Sequence, residues 1–135
     1  MIKNLRDIKR EEIKIFGGKA TNLGFLIQTG FNVPEGFCIS TKINKLTKDI
    51  KEKIIQKYKE LDSSVSVRSS ATVEDAKNAS FAGQFDTFLN VNSETKLLTA
   101  IKNCWNSVKS NRVNSYIGDK KIKNLDMAVI VQKMI

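Results

Sequence analysis

The chain has 135 residues, a formal net charge of +9 and no histidine, and 41% of its residues are hydrophobic. This length and hydrophobic content predict one folded domain, or part of a larger one, and argue against a disordered chain. Without histidine, the chain itself cannot form a Ser-His-Asp triad, a His-ligated zinc site or a phosphohistidine.

In chain order, the first half predicts a short strand at 13–16, a break at the paired glycines that follow, and a helix over 19–29. A turn around the single proline leads to a second strand at 37–40. Thr41 is the expected N-cap of a long helix that ends near Leu61. One apolar stripe runs along this helix at spacings of three and four residues: Ile43, Leu46, Ile50, Ile54, Tyr58 and Leu61.

The second half predicts a strand at 65–68, a long loop over 69–83, a strand at 84–91 and a helix from 93 to about 116. The last segment, 127–135, is apolar on both faces and predicts a buried strand. Alternating helices and strands of this kind predict an α/β (α+β) fold. The chain stops inside that last strand without a polar tail, so we expect a truncated chain or one that pairs with something missing.

The excess positive charge is spread along the chain, and only four of the 23 basic residues are arginine. Nucleic-acid readers favour arginine with interleaved aromatic residues, so nucleic-acid binding is a weaker alternative here. The N-terminus becomes charged at once, and no uncharged stretch is long enough to span a bilayer. Cys38 and Cys104 stand apart, as structural thiols do. We therefore expect a cytoplasmic protein without a nucleic-acid or membrane partner.

The first segment that indicates chemistry is Gly17-Gly18-Lys19, at the start of the predicted helix. Paired glycines let backbone N–H groups approach an anion, the helix N-terminus adds partial positive charge, and the lysine supplies an ammonium group. The spacing of a Walker A motif is absent. The alternative interpretation is a turn followed by a surface lysine.

The second such segment begins at Arg68, the only basic residue between Lys59 and Lys77. A guanidinium group that leaves a strand for a hydroxyl-rich loop is suited to a phosphate group, which it can bind through two N–H groups. The loop adds four hydroxyl donors: Ser69, Ser70, Thr72 and Ser80. The alternative is a surface loop in which the arginine pairs with Glu74 or Asp75.

Five ordered segments carry a family resemblance: 17–24 (GGKATNLG), 33–37 (VPEGF), 67–75 (VRSSATVED), 79–91 (ASFAGQFDTFLNV) and 131–135 (VQKMI). Together they resemble the N-terminal nucleotide-binding domain of the phosphoenolpyruvate synthase family, which also includes pyruvate phosphate dikinase and rifampin phosphotransferase. The resemblance spans nearly the whole chain, and 43–64 is its least diagnostic part.

The resemblance implies an ATP-grasp-like fold, with a mixed sheet flanked by helices and ATP bound between two subdomains. Residues 1–135 would form a single partial domain, the first of those subdomains. By resemblance, Lys19 and Arg68 contact the ATP phosphates. By resemblance, Gly83, Gln84 and Thr87 belong to a loop-to-strand segment that closes on the triphosphate. Gln132 belongs by resemblance to the strand that borders the adenine pocket.

The implied reaction uses ATP to phosphorylate a histidine on a separate domain, for conversion of pyruvate to phosphoenolpyruvate with AMP and phosphate. The partners would be ATP and the phosphohistidine and pyruvate-binding domains, with Mg²⁺ ligands expected downstream of this chain. The isolated chain would then be inactive. Two alternatives stay open: a fragment of an antibiotic kinase of the rifampin phosphotransferase type, and a free-standing, non-catalytic nucleotide-binding or regulatory module.

Overall fold

The computed structural model describes residues 1–71, 87–114, 116–117, 120–121 and 127–134. Its strands are β1 (Ile2–Asn4), β2 (Gly36–Ile39), β3 (Val65–Ala71), β4 (Thr87–Val91), β5 (Tyr116–Ile117), β6 (Lys120–Lys121) and β7 (Met127–Lys133). Its helices are α1 (Ile13–Gln28), α2 (Lys48–Leu61) and α3 (Glu94–Asn114), and two 3₁₀ turns cover Leu5–Asp7 and Arg10–Glu12.

Within the described residues, five strands form one sheet in the order β1-β2-β7-β3-β4, and β5 and β6 form a separate two-stranded ribbon. The α/β (α+β) class predicted from the sequence is confirmed. The sheet is antiparallel at each of its four pairings, where a mixed sheet was expected. Periodicity identifies strands and their buried faces, but it does not fix the direction in which neighbouring strands run.

Helices pack on both faces of this sheet, and β7 at its centre is buried on both, as the apolar run of that segment predicts. One core lies under α1 and joins Leu5, Ile8, Phe16, Ala20, Cys38, Ala128 and Ile130. The other lies under α2 and α3 and includes Phe37, Ile54, Val67, Leu97, Ile101, Cys104 and Val131. The sheet therefore separates two apolar layers, and a residue's parity along a strand decides which helix it faces.

β3 continues to Ala71, where a loop was predicted from residue 69, and two helix starts also differ from the prediction. Residues 13–16 form the first turn of α1 rather than a strand, because the 3₁₀ turn at Arg10–Glu12 leads directly into helical backbone. The second helix starts at Lys48, and its N-cap is Thr47, whose hydroxyl group accepts the Ile50 N–H, rather than Thr41. Residues just after Ser40 form a turn instead of helix, because the N–H groups of residues 42 and 43 bond to Ser40. The apolar stripe predicted for this region does pack on the core.

Candidate functional site

A break in α1 at Gly17 sets the geometry of the site. Gly17 has φ +83° and ψ 164°, so the first helical turn and the helix that continues from Gly18 are two pieces joined at this residue. A Cβ placed on Gly17 would lie 2.3 Å from Ser70 Oγ and 2.6 Å from the Ser70 carbonyl oxygen. Both the backbone conformation and the close approach to β3 require glycine here.

Ser70 holds the start of the continuing helix. The Ala20 N–H donates a hydrogen bond to Ser70 Oγ at 3.2 Å, and Ser70 is fully buried. The Thr21 hydroxyl donates to the carbonyl groups of Gly17 and Gly18, at 3.1 and 3.0 Å. The Gly-Gly-Lys segment is therefore fixed against the last residues of β3.

Strand alternation places Arg68 on the same face of the sheet as Ser70. Arg68 pairs across the sheet with Ile130, and Ser70 pairs with Ala128. Ile130 and Ala128 both belong to the core under α1. Arg68 therefore lies on the α1 side of β3, two residues before the serine that contacts the helix start.

Lys19 and Arg68, the two cations singled out in the sequence, come close enough to interact. The Lys19 side chain reaches solvent, but partial burial of its ammonium group and then the positive charge of Arg68 lower its pKa. The ion pairs in the described part of the chain are Lys3–Glu12, Arg6–Glu35 and Lys59–Glu94, and none of them includes Lys19 or Arg68. Neither of these two like charges therefore has an ion-pair partner among the described residues.

The donor groups of Arg68 support an anion as the missing partner. Its Nε is buried and has no hydrogen-bond partner among the described residues, and the same holds for Ser69 Oγ. Ser69 pairs with Val129, which faces the α2 and α3 core, so its hydroxyl lies on the opposite side of the sheet from Arg68. Of these two unpaired groups, Arg68 Nε is therefore the one on the α1 side of the sheet, where Lys19 lies. The alternative partners Glu74 and Asp75 lie outside the described residues.

Thr87 and Gln132 are also predicted from the resemblance, and only Thr87 is a direct cross-strand neighbour of Arg68. Thr87 is exposed at the start of β4 and is the direct cross-strand neighbour of Arg68. Gln132 is 7% exposed, pairs with Ser66 rather than Arg68, and donates its Nε2–H to the Pro34 carbonyl at 3.0 Å. Its amide thus fastens the turn before β2. Two other predicted positions, Gly83 and Gln84, lie outside the described residues.

The sequence predicts Ser70 as one of several hydroxyl donors in a loop, whereas in the structure it lies in β3 and its hydroxyl group accepts a backbone hydrogen bond. Extending the alternation of the strand from Val65 by a few residues would have placed Ser70 on the side of Arg68. Its contact with the Gly-Gly-Lys segment could not be found this way, because the two segments are 50 residues apart.

Among the described residues, no group of three or more acidic, histidine or cysteine side chains is placed to hold a metal ion. None of the helices they form has the length and apolar character needed to cross a membrane.

Comparison with known proteins identifies a nucleotide-binding family. Residues 41–135 match the family described as the pyruvate phosphate dikinase AMP/ATP-binding domain. That segment contains Arg68, Thr87 and Gln132, and Lys19 precedes it. The matched part exceeds two thirds of the chain, which establishes the family.

Individual relatives extend the match across the Lys19 segment. A probable phosphoenolpyruvate synthase of Archaeoglobus fulgidus is 31% identical over 97% of this chain. A rifampicin phosphotransferase of Bacillus cereus is 30% identical over 98%, and an uncharacterized phosphotransferase of Bacillus subtilis is 34% identical over 93%. The chain spans 24%, 21% and 18% of these three relatives, respectively.

The resemblance seen in the five sequence segments is thus confirmed over the full chain. The chain belongs to the family of pyruvate phosphate dikinase AMP/ATP-binding domains.

Proposed function

We propose that this chain is the ATP-binding N-terminal part of a phosphoenolpyruvate synthase-like phosphotransferase. The observation that carries the proposal is the convergence of Lys19 and Arg68, without a described acidic partner, at the helix start behind Gly17. Membership of an AMP/ATP-binding family supports a nucleoside triphosphate as the anion. Phosphate groups would supply the negative charge that these two side chains lack.

The residues present fit a triphosphate. The guanidinium group of Arg68 can bind a phosphate group through two N–H groups, one of them the orphaned Nε–H. Lys19, on a long side chain that reaches solvent, can follow a charged oxygen as it moves. The N-terminal turn of the helix beside them adds partial positive charge.

ATP, when bound, would supply the transferred phosphoryl group. Lys19 and Arg68 would orient that group and neutralise the charge that develops on it, which is the main work of a protein in phosphoryl transfer. Thr87, beside Arg68, would border the triphosphate together with Gly83 and Gln84, and Gln132 would lie on the strand that borders the adenine. We assign the Mg²⁺ ligands to another part of the protein.

The phosphoryl acceptor would lie on a different domain, because this chain has no histidine. The part matched here is only 18–24% of the length of these relatives, so they have room for phosphohistidine and pyruvate-binding domains. We propose pyruvate as the final acceptor. The match to rifampicin phosphotransferases at similar identity supports an antibiotic as the second candidate.

Titration calorimetry of ATP into the full-length protein tests the site. Lys19→Ala and Arg68→Ala should each weaken ATP binding about ten- to hundred-fold, since each removes a charged group that binds a phosphate. Lys14→Ala and Arg10→Ala are matched controls, since both residues are exposed and precede the break in α1. If both test variants bind ATP as tightly as the unchanged protein, the site is assigned wrongly.

The acceptor is tested by AMP formation in the full-length protein with pyruvate or rifampicin. We expect pyruvate-dependent AMP formation and none that depends on rifampicin. The opposite pattern would replace the first candidate by the second, and no AMP with either would favour a non-catalytic module.

A further inference from the structure

We propose that Ser70 is a positioning residue, whose hydroxyl group ties the start of the helix that carries Lys19 to the strand that carries Arg68. This inference rests on the proposed function for its consequence in ATP binding, but the tie itself is a property of the chain without a ligand.

The helix start needs an acceptor from elsewhere in the chain. Gly17, with its non-helical backbone, stands where an N-cap residue would, and glycine has no side-chain oxygen to accept a first-turn N–H group. Ser70 Oγ accepts the Ala20 N–H at 3.2 Å instead, from 50 residues further along the chain. A serine in β3 thus performs the capping that a residue of α1 usually performs.

The two residues joined by this hydrogen bond lie close to the two cations in the sequence. Ala20 directly follows Lys19, and Ser70 lies two residues after Arg68, on the same face of the strand. Ser70 is fully buried, and its main-chain oxygen is so close to Gly17 that there is no space for a Cβ. A shift of the helix start relative to β3 would therefore change the separation of the two charges directly.

The Ser70 hydrogen bond would oppose the electrostatic repulsion between Lys19 and Arg68. Lys19 and Arg68 repel each other, and no described carboxylate lies in an ion pair with either. Without an anion, repulsion and the hydration of the Lys19 ammonium group both favour separation of the two segments. The buried Ser70 hydrogen bond opposes that separation and keeps the two cations in place before the anion arrives, which is preorganisation.

The first test measures the pKa of Lys19 by NMR in the full-length protein without ATP, using Lys19→Arg to assign the signal. In Ser70→Ala, we expect this pKa to rise toward the ordinary lysine value, because the ammonium group moves into water and away from Arg68. Exchange of the Ala20 amide hydrogen should become faster, since its acceptor is gone. ATP binding should weaken about three- to ten-fold.

Ser40→Ala is the matched control. Ser40 is equally buried, and its Oγ accepts a backbone N–H group at the same 3.2 Å, from Lys42. It should leave the Lys19 pKa and ATP binding unchanged. If Ser70→Ala fails to fold, Ser70→Cys keeps a similar volume with a weaker acceptor and should give the same changes in smaller size.

A folded Ser70→Ala protein with an unchanged Lys19 pKa and unchanged Ala20 exchange would overturn the proposal, even if its melting temperature fell. A raised Lys19 pKa would support the tie even if Lys19→Ala and Arg68→Ala left ATP affinity unchanged, a result that would reject the ATP site alone. Failure of this inference and failure of the ATP site are therefore distinguishable.

Discussion

The surroundings of Lys19 disfavour its positive charge unless an anion is bound nearby. Its ammonium group keeps contact with solvent, while partial burial and the charge of Arg68 make its protonated form less favourable than in an ordinary lysine. A bound phosphate would remove the second of these costs. Side chains in such a state are more typical of binding sites than of surfaces, where lysines point freely into water.

The affinity for ATP should consequently depend on pH. A bound triphosphate favours protonated Lys19, so the pKa of Lys19 is higher in the complex than in the free protein. Affinity is then full below the lowered pKa of the free protein and falls as the pH rises through it. Calorimetry at several pH values on the alkaline side of neutrality would measure this fall.

Lys19→Arg is the control for the pH dependence. Its guanidinium group stays charged throughout that range, so the fall in affinity should disappear while binding persists. An identical pH profile in both proteins would exclude Lys19 as its source.

At the scale of elements, the important junction is between α1 and the end of β3. The glycine break, the Ser70 cap and the strand alternation together bring Lys19 and Arg68 to one side of the sheet. The sequence predicted the paired glycines as a break and placed Lys19 at a helix start. It could not predict that the break would rest on Ser70, because no local pattern encodes a contact over 50 residues.

The two glycines of this junction should respond differently to alanine. Gly17→Ala should destabilise the protein by about 1–3 kcal/mol or more, since it adds strain at a positive φ and a clash with Ser70. At Gly18, an added Cβ would meet only Ile13 Cδ1, at 3.9 Å, and its φ is ordinary. Gly18→Ala should therefore be neutral or stabilising by up to about 1 kcal/mol.

Chemical denaturation of the full-length protein and both variants would measure these differences. Equal stability of the two alanine variants would contradict the role assigned to Gly17.

At the scale of the whole molecule, the sequence predicted the family and most elements, whereas the arrangement of strands came from the structure. The five motif segments were specific enough to identify the family, which the comparisons confirm. The region around Thr41 was predicted less well, because the turn after Ser40 depends on contacts that helix periodicity does not record. The roles of Gly83 and Gln84 stay predictions.

The relatives also differ from this chain in length within the matched region. The alignment with the Archaeoglobus fulgidus protein runs over 182 positions, and this chain has 135 residues, so at least 47 of those positions have no residue here. The Lys19 and Arg68 segments nevertheless meet in the described fold. The candidate phosphate site is thus assembled by this chain even though the relative has more residues over the same alignment.

The most direct measurement is a crystal structure of the full-length protein with a non-hydrolysable ATP analogue. We predict that Lys19 Nζ and the Arg68 guanidinium group both lie about 2.7–3.2 Å from oxygen atoms of the triphosphate. The Ala20 N–H should still donate to Ser70 Oγ in that structure. An analogue whose triphosphate lies out of reach of both Lys19 and Arg68 would contradict the account.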